Sequence, residues 1–322
     1  MDNKEYQISI SGIIWSVIGI LTLITNSLTL IFLLIRRSLR KPQYIALDSL
    51  LLNNIAFAIA YILPYYSNRQ LQFDIPNWCV LLPRVGQSLF LNMSLHICLL
   101  AVIRSIQINR PFQAFEIVTK KHVSCLCLAL WLCSLTLVII SAVHTDRLQA
   151  ENGYNMTCEE QFKNTNDVEL AFSLIILSIS LFVLLLLCAV YYRILSIIDY
   201  HMKSVLTSSI TDVTIKDRIG KFINKRKTIR QALCVFSLYL IFLGPFLITL
   251  GLSYITDLYT SVMTVFPIFR YLAFCYPIVL PCIYVAFDNE IRVAIYRMFN
   301  RNFDSIKTPP TDQTLNDSNN VI

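Results

Sequence analysis

CVLLPRVGQSLFLNMSLHICLLAVIRSIQINRP, residues 79–111, decides how the rest of the chain is read. It opens on Cys79, carries no charge from Val85 through Ile103, and then meets a single arginine, Arg104. At about 1.5 Å rise per residue, the steps from Cys79 to Arg104 cover roughly 38 Å as a helix, enough to cross a hydrocarbon core of about 30 Å with some tilt. One end of such a helix lies outside a membrane and the other inside.

The composition agrees. The 322-residue chain is 56% hydrophobic and 15% charged, with a mean hydropathy of +0.60, too apolar for an ordinary soluble domain. Seven stretches, 12–35, 44–66, 80–107, 122–143, 168–198, 228–255 and 261–287, are each long enough to cross as a helix. The expected fold is an all-α membrane protein, a seven-helix bundle. It is preceded by an outer segment 1–11 and followed by an amphipathic surface helix 288–301 and a disordered tail 302–322.

Alternate connections hold 21 of the 27 Lys and Arg, including Arg36, Lys41, Arg110, Lys120, Arg226 and Arg297. By the positive-inside rule that side is cytoplasmic and the N-terminus lies outside; the plasma membrane is the expected location. The net charge of +7 then needs only the anionic inner leaflet as partner, and no nucleic acid. Residues 1–11 lack a basic region and a small-residue cleavage site, so the first span is expected to serve as its own insertion signal.

Of ten cysteines, only Cys79 and Cys158 fall on the outer side near water. They are the expected disulfide of an oxidising compartment; two free thiols are the alternative. Asn155-Met156-Thr157 is an accessible glycosylation sequon, whereas the sequon at Asn92 lies mid-span.

Several polar residues are out of place in lipid. Asn26 in span one and Asn53 in span two are expected to meet in the interior, the alternative being bonds within each helix or to water. Pro64 is expected to kink the outer end of span two, and Pro245 to bend span six. His96 has no second ligand at metal spacing and reads as a buried structural histidine, so no metal and no cofactor are expected. The basic loop 200–227, rich in Ser and Thr, is either a solvated, partly helical connection or a regulated phosphorylation site.

Taken together, these features resemble the rhodopsin-like G-protein-coupled receptors, from span one to the surface helix. The matching positions are Asn26, Cys79, Arg104, Pro111, Trp131, Cys158, Pro245, Pro281 and Tyr284. Pro42-Gln43-Tyr44-Ile45, the run from Arg104 to Phe112 and Pro281-Cys282-Ile283-Tyr284 are similar to the odorant receptors of fish. There are departures. Ile103 stands where the family carries an acid beside its arginine, Asn53 replaces the inner carboxylate of span two, no tryptophan precedes Pro245, and Leu280 replaces the asparagine before Pro281.

The resemblance implies a receptor, not an enzyme, whose partners are a small-molecule ligand outside and a heterotrimeric G protein inside. Arg104, Pro111 and Tyr284 are then expected at the G-protein face, with Pro245 and Pro281 as helix switches; the alternative for Arg104 is a snorkelling residue at a helix end. Without an acid at 103, the restraint on Arg104 is expected to be weak. Arg270, a turn or two inside span seven, suits an anionic odorant, with Arg84 as a second candidate; an ion pair with Glu169 or Asp257 is the rival account. Gln87, Phe90, Leu91, Tyr254, Phe266 and Tyr271 are candidates to line the same cavity. A seven-span transporter or ligand-gated channel is the alternative class, disfavoured because seven spans do not divide into inverted halves. No lysine in 261–287 offers a Schiff base, and no H-E-x-x-H or nucleophile elbow is present.

Overall fold

The computed structural model describes residues 10–35, 41–67, 78–109, 113–152, 167–207, 212–252, 259–288 and 291–296. Pro111, Asn155, Cys158 and Tyr254 lie outside these residues, as does the side chain of Cys79. Seven long helices are present: α1 (Ile10–Ile35), α2 (Pro42–Phe57), α3 (Trp78–Asn109), α4 (Lys120–Asn152), α5 (Asp167–Thr207), α6 (Asp212–Leu252) and α7 (Tyr259–Phe287). Each contains a stretch long and apolar enough to cross a membrane.

Burial places α3 at the centre. Of its most apolar window 67% is buried, against 17% for that of α4, and α3 packs against α2, α4 and α5. In α1 the buried residues Trp15, Ile18, Thr22, Asn26, Thr29 and Leu33 recur at three- and four-residue spacing and form one inward stripe. Ile13, Ile20, Ile24, Leu28 and Ile31 are exposed on the same helix, a surface that lipid solvates and water would not.

Local chemistry shapes the elements. Pro42 starts α2, where its missing N–H is no loss, and the Lys41 carbonyl accepts the amides of Tyr44 and Ile45. Pro64 does not sit in a regular α-helix. Instead the chain widens into a π-helix over Ala58–Ser67 that contains the proline, the looser turn absorbing its missing donor and its ring. At about 60 Å each, the 41-residue α5 and α6 exceed the hydrocarbon thickness, so their Thr207 and Asp212 ends run past the apolar segments Leu174–Ser196 and Leu233–Leu252. Much of the basic loop 200–227 is therefore helical.

Candidate functional site

Two polar sites occupy opposite ends of the bundle, with a buried amide network between them. At one end lies a cavity of about 150 Å³ between α2, α3, α5, α6 and α7. Its wall is aromatic: Phe57, Tyr61, Tyr66, Phe90, Phe246, Phe266 and Phe274, with Gln87, Ser180 and Arg270 as the polar members. The Arg270 guanidinium carbon lies 5.2 Å from the Tyr66 ring centre, 5.5 Å from Phe266 and 5.9 Å from Trp15. Its Nε is buried without a hydrogen-bond partner among the described residues. Arg270 as a whole is half-buried, and a guanidinium held against ring faces at the wall of an apolar cavity offers an entering anion a charged partner.

The cavity owes its floor to a glycine. A Cβ at Gly86 would sit 2.5 Å from the Tyr61 ring, so only glycine lets that ring lie flat on α3. Tyr61 in turn exchanges a hydroxyl bond with Tyr66 at 3.0 Å, and Tyr66 stacks on Trp15 with 4.1 Å between centroids.

Gln87, Phe90, Phe266 and Arg270 of the expected lining are brought together here. Others are placed elsewhere. Leu91 is buried but lies off the cavity, since one step along a helix rotates a side chain by about 100°. Tyr271 stacks on Trp15 at 4.4 Å and shares a 2.9 Å hydroxyl bond with Ser11. Arg84 is also off the lining and donates to Gln87 at 3.0 Å, holding that amide from one turn away. Asp257 and the side chain of Glu169, the rival partners of Arg270, lie outside the described residues.

In the middle of the bundle the expected Asn26–Asn53 contact is replaced by Asn26–Asn54. The Asn54 amide donates to Asn26 Oδ1 at 3.0 Å. Asn53, turned about 100° away on α2, donates to the Leu89 carbonyl at 3.0 Å and accepts from Asn92 at 2.9 Å. It is therefore Asn54, not Asn53, that faces α1. The Asn26 amide also reaches the Pro277 carbonyl at 2.9 Å, the acceptor that Pro281 leaves without an i−4 donor. A second chain crosses α2, α3 and α4: Trp131 Nε1 donates to Ser49 Oγ at 3.1 Å, Ser49 meets His96 Nε2 at 2.8 Å, and His96 Nδ1 meets the Asn92 carbonyl at 2.8 Å. A carbonyl only accepts, so Nδ1 carries the proton and Nε2 accepts from Ser49. Both ring nitrogens of His96 are thus engaged by protein groups.

At the opposite end sits Arg104. Its guanidinium donates to Gln231 Oε1 at 3.2 Å and to Asp288 Oδ2 at 3.4 Å. The two charged side chains are only 11% and 6% exposed. Tyr44 donates to the other carboxylate oxygen of Asp288 at 3.0 Å, and the Ile291 amide does so at 3.3 Å, capping the helical stretch 291–296. Tyr284 and Tyr191 share with Arg104 a cavity of about 10 Å³, about the space of one water. Ile103, where the family carries an acid, is buried and apolar, and a carboxylate reaches Arg104 instead from Asp288, 184 residues further along the chain.

Seven spans with α3 at their centre, an aromatic cavity at one end and a buried arginine at the other describe a seven-helix membrane protein. A family model described as 7 transmembrane receptor (rhodopsin family) matches residues 25–284, and the chain belongs to that family. A search of curated proteins finds no significant match. Membership implies a multi-pass receptor that binds a ligand and couples to a G protein, and it stands against the transporter alternative.

Proposed function

We infer that this receptor is chemosensory, lies in the plasma membrane with its N-terminus outside, and admits a small anionic odorant to the cavity at Arg270. The observation that carries this is the Arg270 guanidinium, set against the faces of Trp15, Tyr66 and Phe266 with its Nε unpartnered among the described residues. A carboxylate can accept from the open Nε–H and supply a counter-charge, and the surrounding rings take an apolar body.

A ligand held there touches α3 through Phe90, α6 through Phe246 and α7 through Arg270. Ligand binding favours whichever helix arrangement it fits best and shifts the population toward it. Phe246 follows Pro245, which removes a rung from the α6 hydrogen-bond ladder and leaves a weak point about which the Gln231 end can swing. Pro281 leaves the corresponding weak point in α7. Opening of that end exposes Arg104 and Tyr284 to the G protein, and Pro111, outside the described residues, is assigned to the same face by the family resemblance.

On the outer side, Cys79 pairs with Cys158 and Asn155 carries a glycan. The eight cysteines among the described side chains are free thiols, which is compatible with that pairing. The test is a cell signalling panel that compares carboxylate odorants with their neutral amide and alcohol counterparts. Responses confined to the acids support the assignment; equal responses to neutral counterparts refute it.

A further inference from the structure

Arg104 is a cation that its own helix cannot neutralise. No acid lies in α3 near it, and Ile103 beside it is 3% exposed. A buried charge needs a counter-charge or a dense set of hydrogen bonds. Among the described residues the carboxylate within ion-pair distance is Asp288, just past the end of α7.

Asp288 does more than pair. One oxygen receives Tyr44 of α2 and the amide of Ile291, and the other receives Arg104. Gln231 of α6 takes a further guanidinium hydrogen, and Arg230 beside it lies 5.6 Å over the Phe287 ring at the end of α7. The Arg104–Asp288 pair thus links α3, the exit of α7, α6 through Gln231 and α2 through Tyr44. With 9% of the residue exposed, Arg104 cannot meet a partner molecule in this arrangement. Moving α6 away from α3 breaks the 3.2 Å bond to Gln231 and leaves the Asp288 pair as the remaining hold.

We propose that Asp288 is the positioning residue that keeps Arg104 turned inward in the ligand-free receptor, supplying from the α7 exit the acid that α3 lacks. This rests on the inference that the Arg104 end engages the G protein. The device ties the state of α7, whose other half carries Arg270 in the ligand cavity, to the availability of Arg104. It also explains how a chain with Ile103 keeps a closed face.

Asp288→Asn separates this role from capping, because asparagine caps a helix about as well as aspartate and still accepts from Tyr44. Asp288→Ser is the second variant, which keeps a cap without the charge. Two measurements are made on purified full-length receptor in lipid nanodiscs without ligand: nucleotide exchange on a G protein, and the distance between spin labels at the Arg104 end of α3 and the Gln231 end of α6. Asp288→Asn is expected to raise ligand-free exchange about tenfold, the scale of one charge-assisted hydrogen bond, and to populate longer distances. Adding Ile103→Asp to Asp288→Asn restores the short distance and the low rate. Unchanged distances and exchange in both Asp288 variants overturn the proposal. Longer distances with no exchange from any chain, wild type with acidic odorants included, support the hold on Arg104 and refute G-protein coupling at this end.

Discussion

Asn26 of α1 donates its side-chain amide to the Pro277 carbonyl of α7 at 2.9 Å, and that carbonyl is open because Pro281, four residues on, has no N–H to give. The two helices are joined through a proline's missing hydrogen bond. Asn26→Ala strands this acceptor and the Asn54 amide, each a buried polar group, and is expected to cost about 1–3 kcal/mol. In a Pro281→Ala background the new N–H satisfies Pro277, so Asn26→Ala should lower the thermal unfolding temperature less than in wild type. Equal losses in the two backgrounds contradict this pairing.

The ring of Tyr61 rests where a Cβ at Gly86 would be 2.5 Å away. Gly86→Ala should displace Tyr61 into the cavity, destabilise by about 1–3 kcal/mol as overpacking does, and weaken ligand binding. Tyr61→Leu in the same chain should recover part of the stability in a thermal-shift assay, since a smaller side chain makes room for the methyl.

Ser49 is the link between His96 and Trp131. Ser49→Ala leaves Trp131 Nε1 and His96 Nε2 unpartnered at a helix interface and is expected to cost about 1–3 kcal/mol. Ser49→Thr keeps the hydroxyl and should stay closer to wild type in unfolding temperature.

Arg270→Ala should raise the effective concentration of a carboxylate odorant by about 10–100-fold, the scale of a hydrogen bond to a charged group. Arg270→Lys keeps the charge but not the planar fork and should fall between the two. Surface expression measured alongside separates lost binding from lost folding.

The number of spans and the interior placement of Asn26 were legible because lipid makes hydropathy along the chain a strong signal. Azimuth was not. Asn53 and Asn54 are equally polar neighbours, and only the packing of α2 on α1 and α3 decides which of them meets Asn26. The restraint on Arg104 escaped for a different reason: an empty acid position at Ile103 is local, whereas Asp288 enters through tertiary folding across 184 residues. Arg270 was visible as a charge in an apolar span. The rings that frame it, Trp15 and Tyr66, come from α1 and the π-helical end of α2, and no periodicity brings those to α7. The π-helix itself shifts the register of Tyr65 and Tyr66 relative to a regular α-helix, so their direction does not follow from spacing.

The most direct measurement is nucleotide exchange on a purified G protein by the receptor in nanodiscs, titrated with carboxylate odorants and repeated with Arg270→Ala. The account predicts exchange that rises with acid concentration in wild type and needs about 10–100-fold more acid in Arg270→Ala, with neutral counterparts inactive in both. Acid-driven exchange that is the same in the two chains, or none with any ligand in a properly folded wild type, would contradict it.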